Sequence, residues 1–449
     1  MDFKDESFQT NMSAGEDTSE VATLIIEGGR QLRGEVTASG SKNGALALMA
    51  ATLLVEGEVV IHNIPRIGDV LTMVEMLRCL GAKPELSPGG DLKVDASNLI
   101  TSEAPSHLVS KMRASFQVLA PLLVRTGLAR VGIPGGCSIG QRPIDLHQKG
   151  ITALGAMMRN DGGIVEASGS ELHGARVYLD FPSAGATAQI MMAASLILGT
   201  TTIENAASEP EITDVARLLV KCGARITGAG TDTIHIEGVS RLHGTEHSNI
   251  PDRIETGTLA LAALNTEGDV FIRGAVGGHC NAVLLKMQEI GASVREDSDG
   301  IRVSSLRRPL RAQDVVTMPY PGFPTDLQQP IGAVLATAQG SSVITEKVYE
   351  GRFRYLGELD RMGADTRVEG LSAFIRGVPG LQAARVTAHD LRAGAAMAIA
   401  ALGAEGTTVI TDVEHIRRGY ENFEQKLNSL GAKVRAGDTP LEEGSSCLE

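Results

Sequence analysis

"LVKCGARITG", residues 219–228, reads as the last turn of a helix, a glycine stop and the start of a strand. Gly223 suits the stop because glycine takes the left-handed conformation that closes a helix without steric cost. The phrase recurs as "LRCLGAKPEL" (77–86), "ITALGAMMRN" (151–160), "MQEIGASVRE" (287–296), "LDRMGADTRV" (359–368) and "LNSLGAKVRA" (427–436). Its glycines are Gly81, Gly155, Gly223, Gly291, Gly363 and Gly431, spaced by 74, 68, 68, 72 and 68 residues. Self-similarity at a near-constant period marks a repeat architecture and predicts six units of about 70 residues.

Upstream of each stop lies a second signature. A polar start leads into a helix of small and apolar residues, a short turn and a β-branched strand, as in "SGSKNGALALMAATLLVEGEVVIHNI" (39–64) and "DLRAGAAMAIAALGAEGTTVITDV" (390–413). These helices are apolar on all faces, which predicts burial, and the Ser, Thr and Asp near their starts are good N-caps. The helices before the glycine stops, such as "DVARLLVKCG" (214–223), are amphipathic and belong at the surface. Each unit then reads as buried helix, strand, loop, surface helix, stop, strand. Six such units exceed one core, so three per domain are expected, with a boundary near "EHSNIPDRIE" (246–255). The fold class is α/β, with helices inside and sheets outside. If the buried helices of a domain run parallel, their N-termini gather on one face that favours anions.

Composition narrows the function. The 449 residues carry a net charge of −13, have no Trp and are only 3% aromatic, which argues against nucleic acid as a partner. The longest apolar runs are too short to cross a bilayer, so no membrane partner is expected, and the acidic, polar start "MDFKDESFQTNMSAGEDTSE" does not resemble a signal peptide. Five cysteines, at 79, 137, 222, 280 and 447, share no metal-ligand spacing and suit a cytoplasmic protein with free thiols. Cys79 and Cys222 fall in apolar helical patterns and are expected in the core.

The loops between strands and surface helices collect the reactive groups. "IPGGCSIGQRPIDLH" (133–147) holds Cys137 and Arg142; "EKVYEGRFRYL" (346–356) holds Arg352; "VEHIRRGYENF" (413–423) holds Arg418. Lys42, Arg113, Arg253, Asp326 and Arg392 stand at the starts of buried helices. Function in repeat folds collects on one rim, so a net-acidic chain that gathers cations there is built for a small polyanion. Taken singly, each arginine also reads as an ion-paired surface group, and Asp326 and Asp390 also read as helix caps. Cys137 is expected to be a reactive thiol, because arginines and helix N-termini lower a thiol pKa, and its flanking glycines permit a lid.

With "SGSKNGAL", "MRAS", "PGGCSIGQRPIDLH", "SAGAT", "ENAASEPEI", "PDRIETGT", "FPTDLQ", "GRF", "DLRAG" and "RRGYENF" in this order, the chain resembles the UDP-N-acetylglucosamine enolpyruvyl transferases (1-carboxyvinyltransferases) from about residue 22 to 436. The resemblance implies a two-domain inside-out α/β barrel, the enolpyruvyl transferase fold. It implies transfer of the enolpyruvyl group of phosphoenolpyruvate to the 3′-hydroxyl of UDP-N-acetylglucosamine with release of phosphate, the first committed step of peptidoglycan precursor synthesis. It implies no metal or organic cofactor. By the family pattern Lys42, Arg142 and Arg418 hold phosphoenolpyruvate, Cys137 protonates its methylene carbon or forms an adduct, and Asp326 takes the proton of the attacking hydroxyl. Asn43, Arg113, the run Arg142, Pro143, Ile144, Asp145 and Leu146, the turn Ser183, Ala184 and Gly185, and Val348 bind the nucleotide sugar. Arg352 and Arg392, with Asp390 beside them, complete the substrate site. Cys137 is then the expected alkylation site of the epoxide fosfomycin. The expected division is a tail to residue 21, one domain of 22–41 with 251–436, a second of 42–250, and a tail from 437.

Three positions depart from the family pattern. Gly68 in "PRIGDV" stands where a lysine is common, with Arg66 nearby as the substitute cation; Gln117 follows "MRAS" in place of a tryptophan; Phe181 precedes the "SAGAT" turn in place of a lysine. All three are expected on the nucleotide-sugar side. A second acceptor therefore stays open: another nucleotide such as UMP, as in nucleoside-antibiotic biosynthesis. The shikimate-pathway relative fits less well, since this chain reads "SKNGAL" and carries the "PGGC" loop.

Overall fold

All six glycines that follow helix ends adopt positive φ, from 89° to 132°. The computed structural model describes residues 21–135, 143–305 and 309–439. The six buried helices are α1 (Lys42–Thr52), α2 (Leu119–Thr126), α3 (Ala184–Leu196), α4 (Arg253–Asn265), α5 (Gln328–Leu335) and α6 (Leu391–Gly403). Helices α2 and α5 start later than the apolar pattern suggests, because Arg113–Val118 and Thr325–Leu327 are 3-10 turns that lead into them. Pro121 and Pro330 sit in the first turns of these α-helices, where a missing N–H costs nothing.

Six small sheets surround the helices, five of four strands and one of three. Each four-stranded sheet has one parallel pair at an edge and two antiparallel pairs, as in Arg385–Thr387, Thr407–Thr411, Val21–Glu27 and Lys433–Thr439. In the three-stranded sheet the parallel partner shrinks to a single bridge between Glu103 and Arg130. The repeat predicted from the glycine stops is thus a repeat of sheets.

Four of the six buried helices are flanked by strands or bridges of their own unit. The other two exchange. Leu242–Ser248, which leads into α4, pairs in parallel with Val55–His62, which follows α1. Arg33–Thr37, which leads into α1, pairs in parallel with Asp269–Arg273, which follows α4. The chain therefore crosses twice between the halves, and the crossings lie side by side. The Ser41 N–H donates to the Ile250 carbonyl at 2.7 Å and the Asp252 N–H to the Ser39 carbonyl at 2.8 Å. Gly40 is required here, since a Cβ would stand 1.8 Å from the Asn63 carbonyl oxygen.

Two separate hydrophobic cores result. One draws on residues 24–38 and 254–434, the other on residues 45–242. Cys222 is in the second core, whereas Cys79 is only half-buried, contrary to expectation, because it ends a surface helix. The last strand runs to Thr439, past the expected end of the ordered chain at 436, because it is laddered on Val21–Glu27 over its whole length. The remaining expected tails, residues 1–20 and 440–449, lie outside the described residues. Among the described residues no helix is long and apolar enough to cross a membrane.

Candidate active site

The double crossing places the start of α1 against the start of α4. Ser41 caps α1 by accepting from the Gly44 N–H at 3.2 Å. Asp252 caps α4 through Oδ1, and its Oδ2 accepts from the Lys42 N–H at 2.9 Å. Two helix N-termini, one from each half, thus share one buried carboxylate, which satisfies donors that a helix start otherwise leaves open. Lys42 emerges from this junction, with Asn43 exposed beside it.

Lys42 Nζ lies 2.9 Å from Asp69 Oδ2. Asp69 is the second residue of the surface helix Gly68–Cys79, and its Oδ1 accepts from Arg418 Nε at 2.8 Å. Arg418 belongs to the other half, yet its Nη2 donates to the Lys111 carbonyl at 2.9 Å. Burial would raise the Asp69 pKa, but Lys42 and Arg418 outweigh it and hold the carboxyl below its ordinary range. Gly68 packs on this corner: a Cβ there would lie 3.3 Å from Arg418 Cα. Gly68 therefore faces Arg418. Arg66 is exposed nearby, and its Nη1 donates to the Ser87 carbonyl at 3.0 Å.

A second cluster surrounds Asp326, in the 3-10 turn before α5. Arg352 Nη2 donates to Oδ1 at 2.5 Å, and Arg392, in the first turn of α6, donates to Oδ2 from Nη2 at 3.1 Å. Arg392 also lies over the Tyr420 ring, 5.2 Å from its centroid, and Tyr420 Oη pairs with Thr258 Oγ1 of α4 at 2.9 Å. The starts of α4, α5 and α6 are thereby tied together. Burial pushes the Asp326 carboxyl up, but Arg352, Arg392 and Lys42 hold it far below the ordinary aspartate range. Lys42 acts on both carboxylates, so the two clusters form one electrostatic site across the halves. Arg352 Nε and Nη1 are buried and without partners among the described residues, which is costly unless an acceptor enters.

The remaining expected residues divide. Arg113 Nη2 donates to the Pro143 carbonyl at 2.9 Å, bringing the 3-10 turn beside Pro143, Ile144, Asp145 and Leu146, where Asp145 opens the helix Asp145–Ala153. His147 of this helix is buried and pairs with Gln189 Oε1 of α3 at 2.6 Å, and Gln189 Nε2 donates to the Phe116 carbonyl at 2.7 Å. That bracket fixes the turn Ser183, Ala184 and Gly185, in which Ser183 Oγ accepts from the Ala186 N–H at 3.3 Å. Phe181 is exposed just before it. Val348 and Arg352 follow the strand Ser341–Thr345. Asp390 resolves as a helix cap: Oδ1 accepts from the Arg392 and Ala393 N–H groups at 2.8 and 3.0 Å, and Oδ2 from Gln329 Nε2 at 3.0 Å. Cys137 and Arg142 lie outside the described residues.

Sequence reasoning passed over Asp69 and Asp252. Each has an ordinary local reading, a first-turn acid and an N-cap, and only the fold shows that each carboxylate also binds a residue from the other half.

Two triplicated halves with an ion-paired seam of lysine, arginine and aspartate between them define an enolpyruvyl transferase. The chain matches the EPSP synthase (3-phosphoshikimate 1-carboxyvinyltransferase) family over residues 26–427. It is 51% identical over 415 residues to UDP-N-acetylglucosamine 1-carboxyvinyltransferase 2 of Carboxydothermus hydrogenoformans, covering 92% of this chain and 98% of that protein. It is 50% identical over 412 residues to UDP-N-acetylglucosamine 1-carboxyvinyltransferase 1 of Caldanaerobacter subterraneus subsp. tengcongensis, with the same coverage. The chain belongs to the UDP-N-acetylglucosamine 1-carboxyvinyltransferase family. Among solved structures, the enolpyruvyl transferase NikO from Streptomyces tendae superposes with a TM-score of 0.85 at 27% identity, over 94% of this chain and 100% of that one. EPSP synthase from Acinetobacter baumannii gives 0.71 at 19% identity, over 93% and 100%, and shares the fold.

Proposed function

We infer that the protein transfers the enolpyruvyl group of phosphoenolpyruvate to the 3′-hydroxyl of UDP-N-acetylglucosamine, releasing phosphate, and so opens peptidoglycan precursor synthesis in the cytoplasm. Two relatives of that name at about half identity over nearly their whole lengths support the acceptor. The observation that carries the chemistry is Asp326, a carboxylate held between Arg352 and Arg392 and within the field of Lys42.

In this reading two domains, 22–41 with 251–436 and 42–250, hold the substrates between them, and the two separate cores support the division. Phosphoenolpyruvate brings a phosphate and a carboxylate in one small molecule. Lys42, Arg142 and Arg418 take these charges, which costs the Asp69 carboxylate part of its pairing. Arg352 and Arg392 turn from Asp326 toward the incoming anion, so Asp326 loses the charges that keep its proton affinity low and becomes a competent base. It then takes the proton of the sugar 3′-hydroxyl as that oxygen bonds to C2 of phosphoenolpyruvate. Cys137 delivers a proton to C3, giving a tetrahedral adduct. Breaking the C2–phosphate oxygen bond and returning a proton from C3 releases phosphate and leaves the enol ether. General acid–base groups of this kind are typically worth about 10²–10⁴-fold in rate. Arg113, Asn43, the run from Arg142 to Leu146, the turn Ser183 to Gly185 and Val348 cradle the nucleotide sugar. Asp390 serves by orienting Arg392.

An acceptor panel tests the reading. Phosphate release with phosphoenolpyruvate and UDP-N-acetylglucosamine is expected; turnover with UMP alone would replace the acceptor, and no release with any uridine nucleotide would sink the assignment.

A further inference from the structure

In each unit, one residue ends the strand that follows the buried helix. At four of the six units it takes a left-handed turn: Asn63, Asn205, Gly274 and Asp412, with φ of 58°, 53°, 76° and 57°. Both asparagines bridge to a neighbouring strand end, Asn63 Nδ2 donating to the Asn249 carbonyl at 3.0 Å and Asn205 Nδ2 to the Leu179 carbonyl at 2.7 Å. The second unit has Ile133 here, without positive φ, and the fifth unit also breaks the pattern. Its residue is Glu346, without positive φ and 1% exposed.

A buried glutamate needs donors, and Glu346 has four. Oε1 accepts from Thr317 Oγ1 at 2.6 Å, from the Val348 N–H at 2.7 Å and from the Tyr349 N–H at 3.1 Å; Oε2 accepts from Thr325 Oγ1 at 2.9 Å. Thr317 Oγ1 in turn accepts from the Lys347 N–H at 2.9 Å. Thr325 immediately precedes Asp326. Val348 and Tyr349 lead to Arg352, whose guanidinium lies over the Tyr349 ring, 5.3 Å from its centroid. One carboxylate therefore grips two arms of the site: the turn that carries the base, and the turn that carries Val348 and the arginine paired with that base.

We propose that Glu346 is a positioning residue for this reaction, fixing the separation of Asp326 from Val348 and Arg352 through its hydrogen bonds to Thr325 and to the Val348 and Tyr349 amides. The proposal rests on the enolpyruvyl-transfer reading. In four other units a left-handed residue closes the strand at this place. Glu346 exchanges that turn for a clamp of four hydrogen bonds.

Three variants separate the two arms. Thr325→Val removes only the hydroxyl beside Asp326. It is expected to lower kcat about tenfold and to leave KM for the nucleotide sugar within about twofold. Glu346→Ala removes both arms, with kcat expected to fall about a hundredfold and KM for the nucleotide sugar to rise about fivefold. Glu346→Gln keeps an acceptor for the two amides and should recover most of the KM effect but less of the kcat effect. A residue that served stability alone would lower the active fraction without dividing kcat from KM in this way. Amide hydrogen exchange at Val348 and Tyr349 reads the clamp without any substrate; it is expected to quicken in Glu346→Ala and to stay unchanged in Thr325→Val. Wild-type kinetics for Thr325→Val, or unchanged exchange in Glu346→Ala, would overturn the proposal. Wild-type protein that releases no phosphate would overturn the functional reading instead, and the exchange experiment would still judge the clamp.

Discussion

Asp69 and Arg418 lie 349 residues apart in the chain and 2.8 Å apart in space, joining the two halves. Lys42 shares the same carboxylate. Asp69→Asn should leave both cations without their common anion, weakening their placement for phosphoenolpyruvate. We expect kcat/KM for phosphoenolpyruvate to fall about ten- to a hundredfold, carried largely by KM. A double-mutant cycle with Arg418→Ala in a phosphate-release assay checks it: additive losses would mean that the pair does not act together.

Asp326 is held ionised by Arg352, Arg392 and Lys42 against the opposing effect of burial. A carboxyl whose folded pKa is depressed contributes stability above its unfolded pKa and loses it as pH falls through the folded value. Asp326→Asn should therefore destabilise the protein at neutral pH and lose that penalty toward the acid end of the folded range. It should also cut kcat about 10²–10⁴-fold while phosphoenolpyruvate still binds. Thermal melts across pH and isothermal titration with phosphoenolpyruvate measure the two effects separately.

Cys137 is to be judged chemically. Fosfomycin should alkylate it, faster with UDP-N-acetylglucosamine bound, as intact mass would report. Cys137→Asp should retain part of the turnover and resist the epoxide, and Cys137→Ala should lose more. An unmodified Cys137 after exposure with the sugar nucleotide would count against its role.

Glu209 behaves in the opposite sense to Asp326. Burial and the neighbouring Glu211 push its pKa up to about 7, against the pull of Arg253 and the Tyr320 amide, and its Oε2 has no partner among the described residues. A carboxyl with a raised folded pKa costs stability as pH rises from the ordinary glutamate range to the folded value. Glu209→Gln should thus stabilise the protein by on the order of 2 kcal/mol above pH 7 and by little near pH 4.5. Melting temperatures of the two proteins at both pH values decide it.

Much of the fold could be read along the chain because each unit repeats the same local necessity. Gly223 and its five counterparts must take a conformation that other residues avoid, so the stops stand out in the letters. The site was legible in part. Asp326, Arg352, Arg392, Lys42 and Arg418 converge as the cation-rich rim suggested. What stayed hidden depends on partners far away in sequence. Asp69 looks like any first-turn acid, Asp390 leaves cap and ligand indistinguishable until Gln329 is seen beside it, and Glu346 is merely the residue after a strand. The exchange of Leu242–Ser248 with Arg33–Thr37 has no local signature, since both segments are ordinary strands in either sheet.

That exchange bears on how the chain is made. The half built on residues 45–242 is continuous and has all its strands once translation has passed residue 248. The other half begins with Val21–Glu27, whose neighbours are Thr407–Thr411 and Lys433–Thr439. A nascent polypeptide must keep that first strand unpaired until the ribosome has nearly finished, and loss of the last few dozen residues would leave it an open edge prone to joining another molecule.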